Sequence, residues 1–211
     1  MNIKKNAAAI VILLSLFSSA HAVNAYVDQF ISFKDAVGNN AVAFGNNGTL
    51  TAPPAEVVNP NIILGAPTAA QWVSVPTDYS AVYGFNGKNA TEGLDIYYVD
   101  AGALSNVSVW GKLNVADAWT KIGSVTEGAP TGSTYNPVSS FLSLAGTGLS
   151  AVSQVMIRGT DVAGWSPGFD LMGVQGRGMM AAPVPEPETY ALMGLGLIAL
   201  LVKRRRQVDA S

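Results

Sequence analysis

No cysteine occurs in this 211-residue chain, and its one histidine, His21, lies close to the N-terminus. Without thiols the fold must be held by packing, since no disulfide can constrain the unfolded state. From residue 23 onward there is neither His nor Cys. That excludes Ser-His-Asp and Cys-His catalysis, and the usual His/Cys zinc sites, from the bulk of the chain. Charge is also scarce: 12% of the residues are Asp, Glu, Lys or Arg, against a globular average of about 25%. What charge there is leans acidic. Between residues 23 and 183 eleven carboxylates face six cations, a net of −5. Nucleic acid demands a basic footprint, so it is not an expected partner. Extended apolar runs are confined to the two ends.

The first run belongs to a signal segment. Lys4 and Lys5 form a positive start, Ala7 to Phe17 is apolar, and Ala20-His21-Ala22 has the small-x-small pattern of a cleavage site. Residues 1–22 are therefore expected to be a signal helix handled by the Sec translocon and signal peptidase. The cut is placed after Ala22, with a cut after Ala25 as the alternative. The second run follows Pro185, Glu186 and Pro187. It extends over 13 residues from Tyr190 to Val202 and ends in Lys203, Arg204, Arg205 and Arg206. The prolines stop a helix and keep the backbone extended. As a helix the run measures about 20 Å against roughly 30 Å of hydrocarbon, a short span helped by snorkelling of the basic cluster. Four cations in a row are retained on the cytoplasmic side, which places the Pro-Glu-Pro triplet outside.

The segment VPEPETYALMGLGLIALLVKRRR resembles a PEP-CTERM sorting signal, found on exported proteins of Gram-negative bacteria that make extracellular polysaccharide. The resemblance implies recognition by an exosortase, a membrane-embedded cysteine transpeptidase-like enzyme, with cleavage near Pro185, Glu186 and Pro187. These three residues are then recognised and do no catalysis. The implied route is transient residence in the inner membrane, followed by the cell surface or the exterior.

Residues 23–176 read as one β domain, with 177–184 as a flexible linker containing Met179 and Met180, and 185–206 as the sorting signal. Ten candidate strands alternate with Gly/Asn/Pro/Ser turns: Gln29–Lys34, Ala41–Phe44, Trp72–Val75, Ser80–Phe85, Leu94–Val99, Val107–Leu113, Thr120–Val125, Phe141–Leu144, Gln154–Arg158 and Phe169–Val174. Turn punctuation includes Asn47-Gly48 and Asn86-Gly87. The expected class is mainly β, an antiparallel sandwich of jelly-roll type with a signal helix before it and a transmembrane helix after it. Three segments carry a second resemblance: Ile63-Leu64-Gly65-Ala66-Pro67 with Trp72-Val73-Ser74-Val75, then Glu92 to Val99, then Pro167-Gly168-Phe169-Asp170-Leu171. Together they are similar to exported jelly-roll sandwiches of the discoidin or galactose-binding kind.

Candidate sites are few. Asp95, Asp100, Asp161 and Asp170 fall at strand ends or turns and could gather on a structural Ca²⁺, a hard cation that needs several oxygens. The commoner role of Asp in turns is to bond nearby backbone N–H groups. Trp165, in Gly164-Trp165-Ser166-Pro167, is a candidate platform for a sugar ring, which would suit a partner exopolysaccharide; tryptophans more often pack in cores. The expected function is an exported surface or matrix protein with a non-catalytic glycan- or matrix-binding body. The alternative is a secreted polysaccharide hydrolase using paired carboxylates.

Overall fold

The computed structural model describes residues 23–48, 56–99, 105–127, 135–160 and 168–181. The signal segment with Ala20 and Ala22, then Asp100, Asp161 and Trp165, lie outside them. So do Pro185, Glu186, Pro187, the apolar run 190–202 and the basic stop from Lys203 to Arg206. Among the described residues no helix is long and apolar enough to cross a membrane.

Thirteen strands are present among these residues: β1 (Val23–Tyr26), β2 (Gln29–Lys34), β3 (Ala43–Asn47), β4 (Glu56–Val58), β5 (Gln71–Val75), β6 (Ser80–Gly84), β7 (Lys88–Asn89), β8 (Gly93–Val99), β9 (Asn106–Lys112), β10 (Thr120–Thr126), β11 (Pro137–Ser143), β12 (Gln154–Gly159) and β13 (Phe169–Ala181). They form two antiparallel sheets. The larger runs β11-β8-β13-β5-β3-β4, with β1 and β7 also on β13; the smaller runs β10-β9-β12-β6-β2. The expected mainly β, antiparallel class is what is found.

The two sheets enclose one core because each strand sends alternate side chains inward. Leu94, Ile96 and Tyr98 of β8 and Val73 and Val75 of β5 meet Val107 and Val109 of β9, Val155 and Ile157 of β12, and Tyr83 of β6. Leu94, Ile96 and Ile157 are fully buried, and each such side chain contributes about 1.5–3 kcal/mol by leaving water. Tyr83 keeps one polar contact, donating to the Pro60 carbonyl at 3.3 Å; burial holds its phenol well above the ordinary tyrosine range.

All ten expected strands are present; β2 matches to the residue and the others differ at one or both ends. The expected β11 starts at Pro137, four residues before Phe141. β1, β4 and β7 were not foreseen. The largest difference is at the end of the body. β13 continues through Gln175, Arg177 and Met179 to Ala181, so the first five residues of the expected linker 177–184 are strand. Their glycines mark close approach, not slack. A Cβ on Gly176 would meet Met179 Sδ at 2.5 Å, and Gly178, at φ +65°, has Glu92 Cγ at 2.6 Å from where its Cβ would stand. Met179 is 6% exposed and part of the core.

Candidate functional site

The strand period that fills the core also decorates the outer surface of the larger sheet. On β8, the residues between Leu94, Ile96 and Tyr98 are Asp95 and Tyr97, which point the other way. Cross-strand register then builds a row across four strands. Phe141 of β11 stands opposite Asp95, Asp95 opposite Gln175 of β13, and Gln175 opposite Tyr26 of β1. A register shift between Leu171 and Gly173 sets which β13 residues reach this surface.

Asp95 is the buried member of the row at 3% exposure. Arg177 clamps it in a fork: Nε donates to Oδ2 at 2.6 Å and Nη2 to Oδ1 at 2.7 Å. The guanidinium lies 4.3 Å from the centre of the Phe141 ring, so its orientation is fixed by the carboxylate and by the aromatic ring. The Arg177 side chain is nevertheless 42% exposed, leaving donors available to solvent or ligand. Its pKa is raised from an already high value, first by the hydrogen bond to Asp95. Room for the ring comes from Gly93, where a Cβ would stand 2.5 Å from both the Phe141 ring and the Leu142 carbonyl oxygen.

Tyrosines complete the surface. The Tyr26 and Tyr97 rings are 5.8 Å apart and tilted by 50°, and the Tyr97 hydroxyl donates to Gln175 Oε1 at 3.2 Å. Partial desolvation, then the hydrogen bond with Tyr26, pushes the Tyr97 phenol up to about 12. Tyr26, Tyr97, Gln175 and Arg177 are each half-buried, while Phe141 is 46% exposed on an edge strand. Next to this end of β13 lies a shallow, open depression of about 620 Å³ lined by Thr91, Glu92, Leu144, Gly146, Leu149 and Ser150.

Further along the same surface a small second core packs Trp72, Val99, Met172 and Ala70 under Tyr97 and Tyr135. Tyr135 stacks flat on Trp72 at 5.5 Å. Beside it Ser74 donates to Asp170 Oδ1 at 2.5 Å, and the Asp170 N–H donates to Glu127 Oε1 at 2.8 Å. Asp170 and Glu127 are 3% and 1% exposed.

Of the four candidate calcium ligands, Asp95 is turned to Arg177 and Asp170 to Ser74, while Asp100 and Asp161 are outside the described residues. Among the described residues no group of three or more acidic, His or Cys side chains is placed to hold a metal ion. Trp165 is also outside them. The residues that do assemble a surface, Phe141, Gln175, Arg177 and Tyr26, were not singled out as site residues from sequence. The available signal was the alternation Asp95-x-Tyr97 on one strand and Gln175-x-Arg177 on its neighbour.

No curated protein matches the chain. Among solved structures it is similar to a truncated AlyQ with CBM32 and alginate lyase domains, at 12% identity and a TM-score of 0.41, covering 78% of this chain and 35% of that one. The chain thus spans about a third of that protein's length. A second likeness is to a tyrosine-to-alanine mutant of CBM29-2, a family 29 carbohydrate-binding module, at 11% identity and a TM-score of 0.36, covering 74% of this chain and 93% of that one. The remaining comparison falls on the tail. Residues 183–206, from Pro183 through the Pro-Glu-Pro triplet and the apolar run to Arg206, match the family model of the PEP-CTERM protein-sorting motif, and the chain carries that motif.

Proposed function

We propose that this is an exported cell-surface or matrix protein, sorted and processed through residues 183–206, whose body is a non-catalytic glycan-binding module. Sorting rests on the PEP-CTERM motif. Sec export with signal peptidase cleavage after Ala22, exosortase recognition of Pro185, Glu186 and Pro187, and retention by the basic stop from Lys203 to Arg206 belong to the same reading. The observation that carries glycan binding is the row Phe141, Asp95–Arg177, Gln175 and Tyr26 with Tyr97. Aromatic faces take the apolar faces of sugar rings, and fixed planar donors and acceptors take pairs of hydroxyls. The arrangement is half-open and pre-formed, so little ordering cost accompanies binding.

The test is retention of the purified mature protein on exopolysaccharide from its native host, compared with the Tyr97→Ala and Phe141→Ala variants. Loss of retention in both variants, with unchanged melting, supports the reading. Full retention in both would sink it. Trp165→Ala measures whether that residue adds to the same surface.

A second reading, the polysaccharide hydrolase with paired carboxylates, has one observation in its favour: Glu127, just after β10, accepts from the backbone N–H of Asp170 on β13 at 2.8 Å. Both are sealed from solvent, which favours a structural role. Glu127→Gln distinguishes the two, since release of reducing ends by the parent protein and its loss in the variant would establish the hydrolase. The calcium reading has weaker support, because Arg177 occupies both oxygens of Asp95. A drop in melting temperature on chelation would restore it.

A further inference from the structure

The row of rings and polar groups does not stop at the end of the sheet. Outward positions on β8 run Tyr97, Asp95 and Gly93, and just before the strand Thr91 and Glu92 line the open depression of about 620 Å³. The N–H groups of Thr91 and Glu92 both donate to the Arg177 carbonyl at 3.2 Å, so the depression borders the residue that clamps Asp95. Its opposite wall is a turn of fixed shape. The Leu144 N–H donates to the Glu92 carbonyl at 3.0 Å. Thr147 Oγ1 donates to the Leu144 carbonyl at 2.7 Å, and the Leu149 N–H donates to Thr147 Oγ1 at 3.2 Å. From Tyr97 to Glu92 the chain advances about 16 Å, which is longer than a single sugar ring.

Charge along this path sets the class of ligand. Of the six cations between residues 23 and 183, Lys34, Lys112, Lys121 and Arg158 belong to strands of the smaller sheet. Lys88, on β7, does not line the depression. Among the described residues, Arg177 is thus the one cation in the row and depression, against two carboxylates, Asp95 and Glu92. Nor is Arg177 free to turn to a new anion. Its fork is spent on a carboxylate that is 3% exposed, and leaving that carboxylate would strand a buried charge. Glu92 is exposed and close enough to act on the Arg177 charge.

We propose, resting on the glycan-binding reading of this face, that it takes an uncharged polysaccharide chain laid along β8, from the Tyr26–Tyr97 ring pair past Arg177 and Phe141 into the depression beside Glu92. Sugar faces meet the rings. The remaining Arg177 N–H groups donate to hydroxyls, and Glu92 accepts from hydroxyls at the far end. A carboxylate on the same sugars would meet Glu92 and find no cation to pair with. The body's net charge of −5 opposes a polyanion at longer range as well.

The test uses the purified mature protein and two forms of the exopolysaccharide from its native host. In one form any carboxyl groups are reduced to alcohols; in the other, primary hydroxyls are oxidised to carboxylates. At low ionic strength the reduced form should retain the protein and the oxidised form should not. Glu92→Lys, a change at an exposed position, should gain retention on the oxidised form. High salt should narrow the gap, because the screening length falls from about 10 Å at 0.1 M to about 3 Å at 1 M. Equal retention on both forms, or preference for the oxidised one, overturns the proposal and leaves glycan binding standing. Retention on neither sinks both. A second arm tests the path with oligosaccharides cut from the reduced form and sorted by length. Retention should strengthen with length, and Ala145→Trp, which adds bulk at an exposed residue lining the depression, should erase that gain while sparing the shortest chains. An unchanged length dependence, or equal weakening at every length, overturns the path into the depression.

Discussion

The two outer surfaces of the sandwich use similar residues to different ends. Each carries an arginine–aspartate pair and large aromatic rings. On the larger sheet Arg177 grips a buried Asp95 through two hydrogen bonds, over the face of Phe141. On the smaller sheet Arg158 reaches Asp78 through one contact of 2.9 Å, with the side chains 47% and 55% exposed. The aromatics differ in the same way. Lys112 lies 4.7 Å over Trp119, but its ammonium is committed to the Val115 carbonyl at 2.6 Å, and Trp110 is in register with Met156 and Lys121. Among the described residues, only the larger sheet combines fixed polar groups with half-open rings in one row. A charge pair becomes a recognition element when one partner is buried and oriented by the strand ladder; an exposed pair contributes little order.

The comparison depends on a core shared by both sheets, and that is where the largest effects should appear. Ile96→Ala from the β8 side and Ile157→Ala from the β12 side each remove a fully buried side chain. Each should cost about 2–5 kcal/mol in denaturant unfolding. A large inequality between the two would mean that the sheets do not share the core equally. The next effect separates the ion pairs. Arg177→Ala leaves the buried Asp95 carboxylate without its partner and should both lower the melting temperature and remove polysaccharide retention. Arg158→Ala should change stability by about 0–1 kcal/mol, as exposed pairs do, and leave retention untouched. Equal effects from the two arginines would erase the distinction drawn here.

A smaller effect sharpens the contrast between rings. Trp110→Ala on the smaller sheet should leave retention as it is, whereas Phe141→Ala on the larger one should weaken it with little change in melting. Gly93→Ala should also weaken retention by displacing the ring, and should lower the melting temperature as well, because the new Cβ meets the Leu142 backbone carbonyl at 2.5 Å.

Much of this was legible in the sequence, for a definite reason. β8 and β9 put apolar residues on the core face at every second position (Leu94, Ile96 and Tyr98; Val107 and Val109), and such alternation specifies both strand and face. β2 was legible to the residue. β1 was not: Val-Asn-Ala-Tyr is four residues long, half-exposed, and is a strand only because β13 offers it an edge. The end of β13 misled for the opposite reason. Gln-Gly-Arg-Gly-Met-Met has a linker's composition, yet its glycines are there because Met179, Ala90, Thr91 and Glu92 leave no space for a side chain. Reading that stretch as slack hid Arg177, and with it the clamp on Asp95. Non-local crowding is invisible in a single sequence, whereas a period of two is not. The candidate site was therefore less legible than the fold, since it depends on register across β11, β8, β13 and β1.

The smallest predicted effect concerns the half-buried Tyr97. Its phenol is pushed up to about 12 from an ordinary value of 10.0. A raised pKa on an acid means that the folded state favours the protonated form. The associated stability is fully present below pH 10 and is lost progressively as pH rises through 12. An ultraviolet titration of tyrosinate should therefore show Tyr97 ionising about two pH units later than a free tyrosine, with the buried Tyr83 ionising later still. The Tyr97 step should vanish in Tyr97→Phe, a variant that keeps the ring against Tyr26 and loses the hydroxyl donated to Gln175. If Tyr97→Phe also keeps most of the polysaccharide retention, the ring carries the contact and the hydroxyl only orients it. If retention falls as far as in Tyr97→Ala, the hydroxyl is itself a ligand contact, and the smaller sheet, whose hydrogen-bonded phenol Tyr83 is buried in the core, is excluded as a substitute surface.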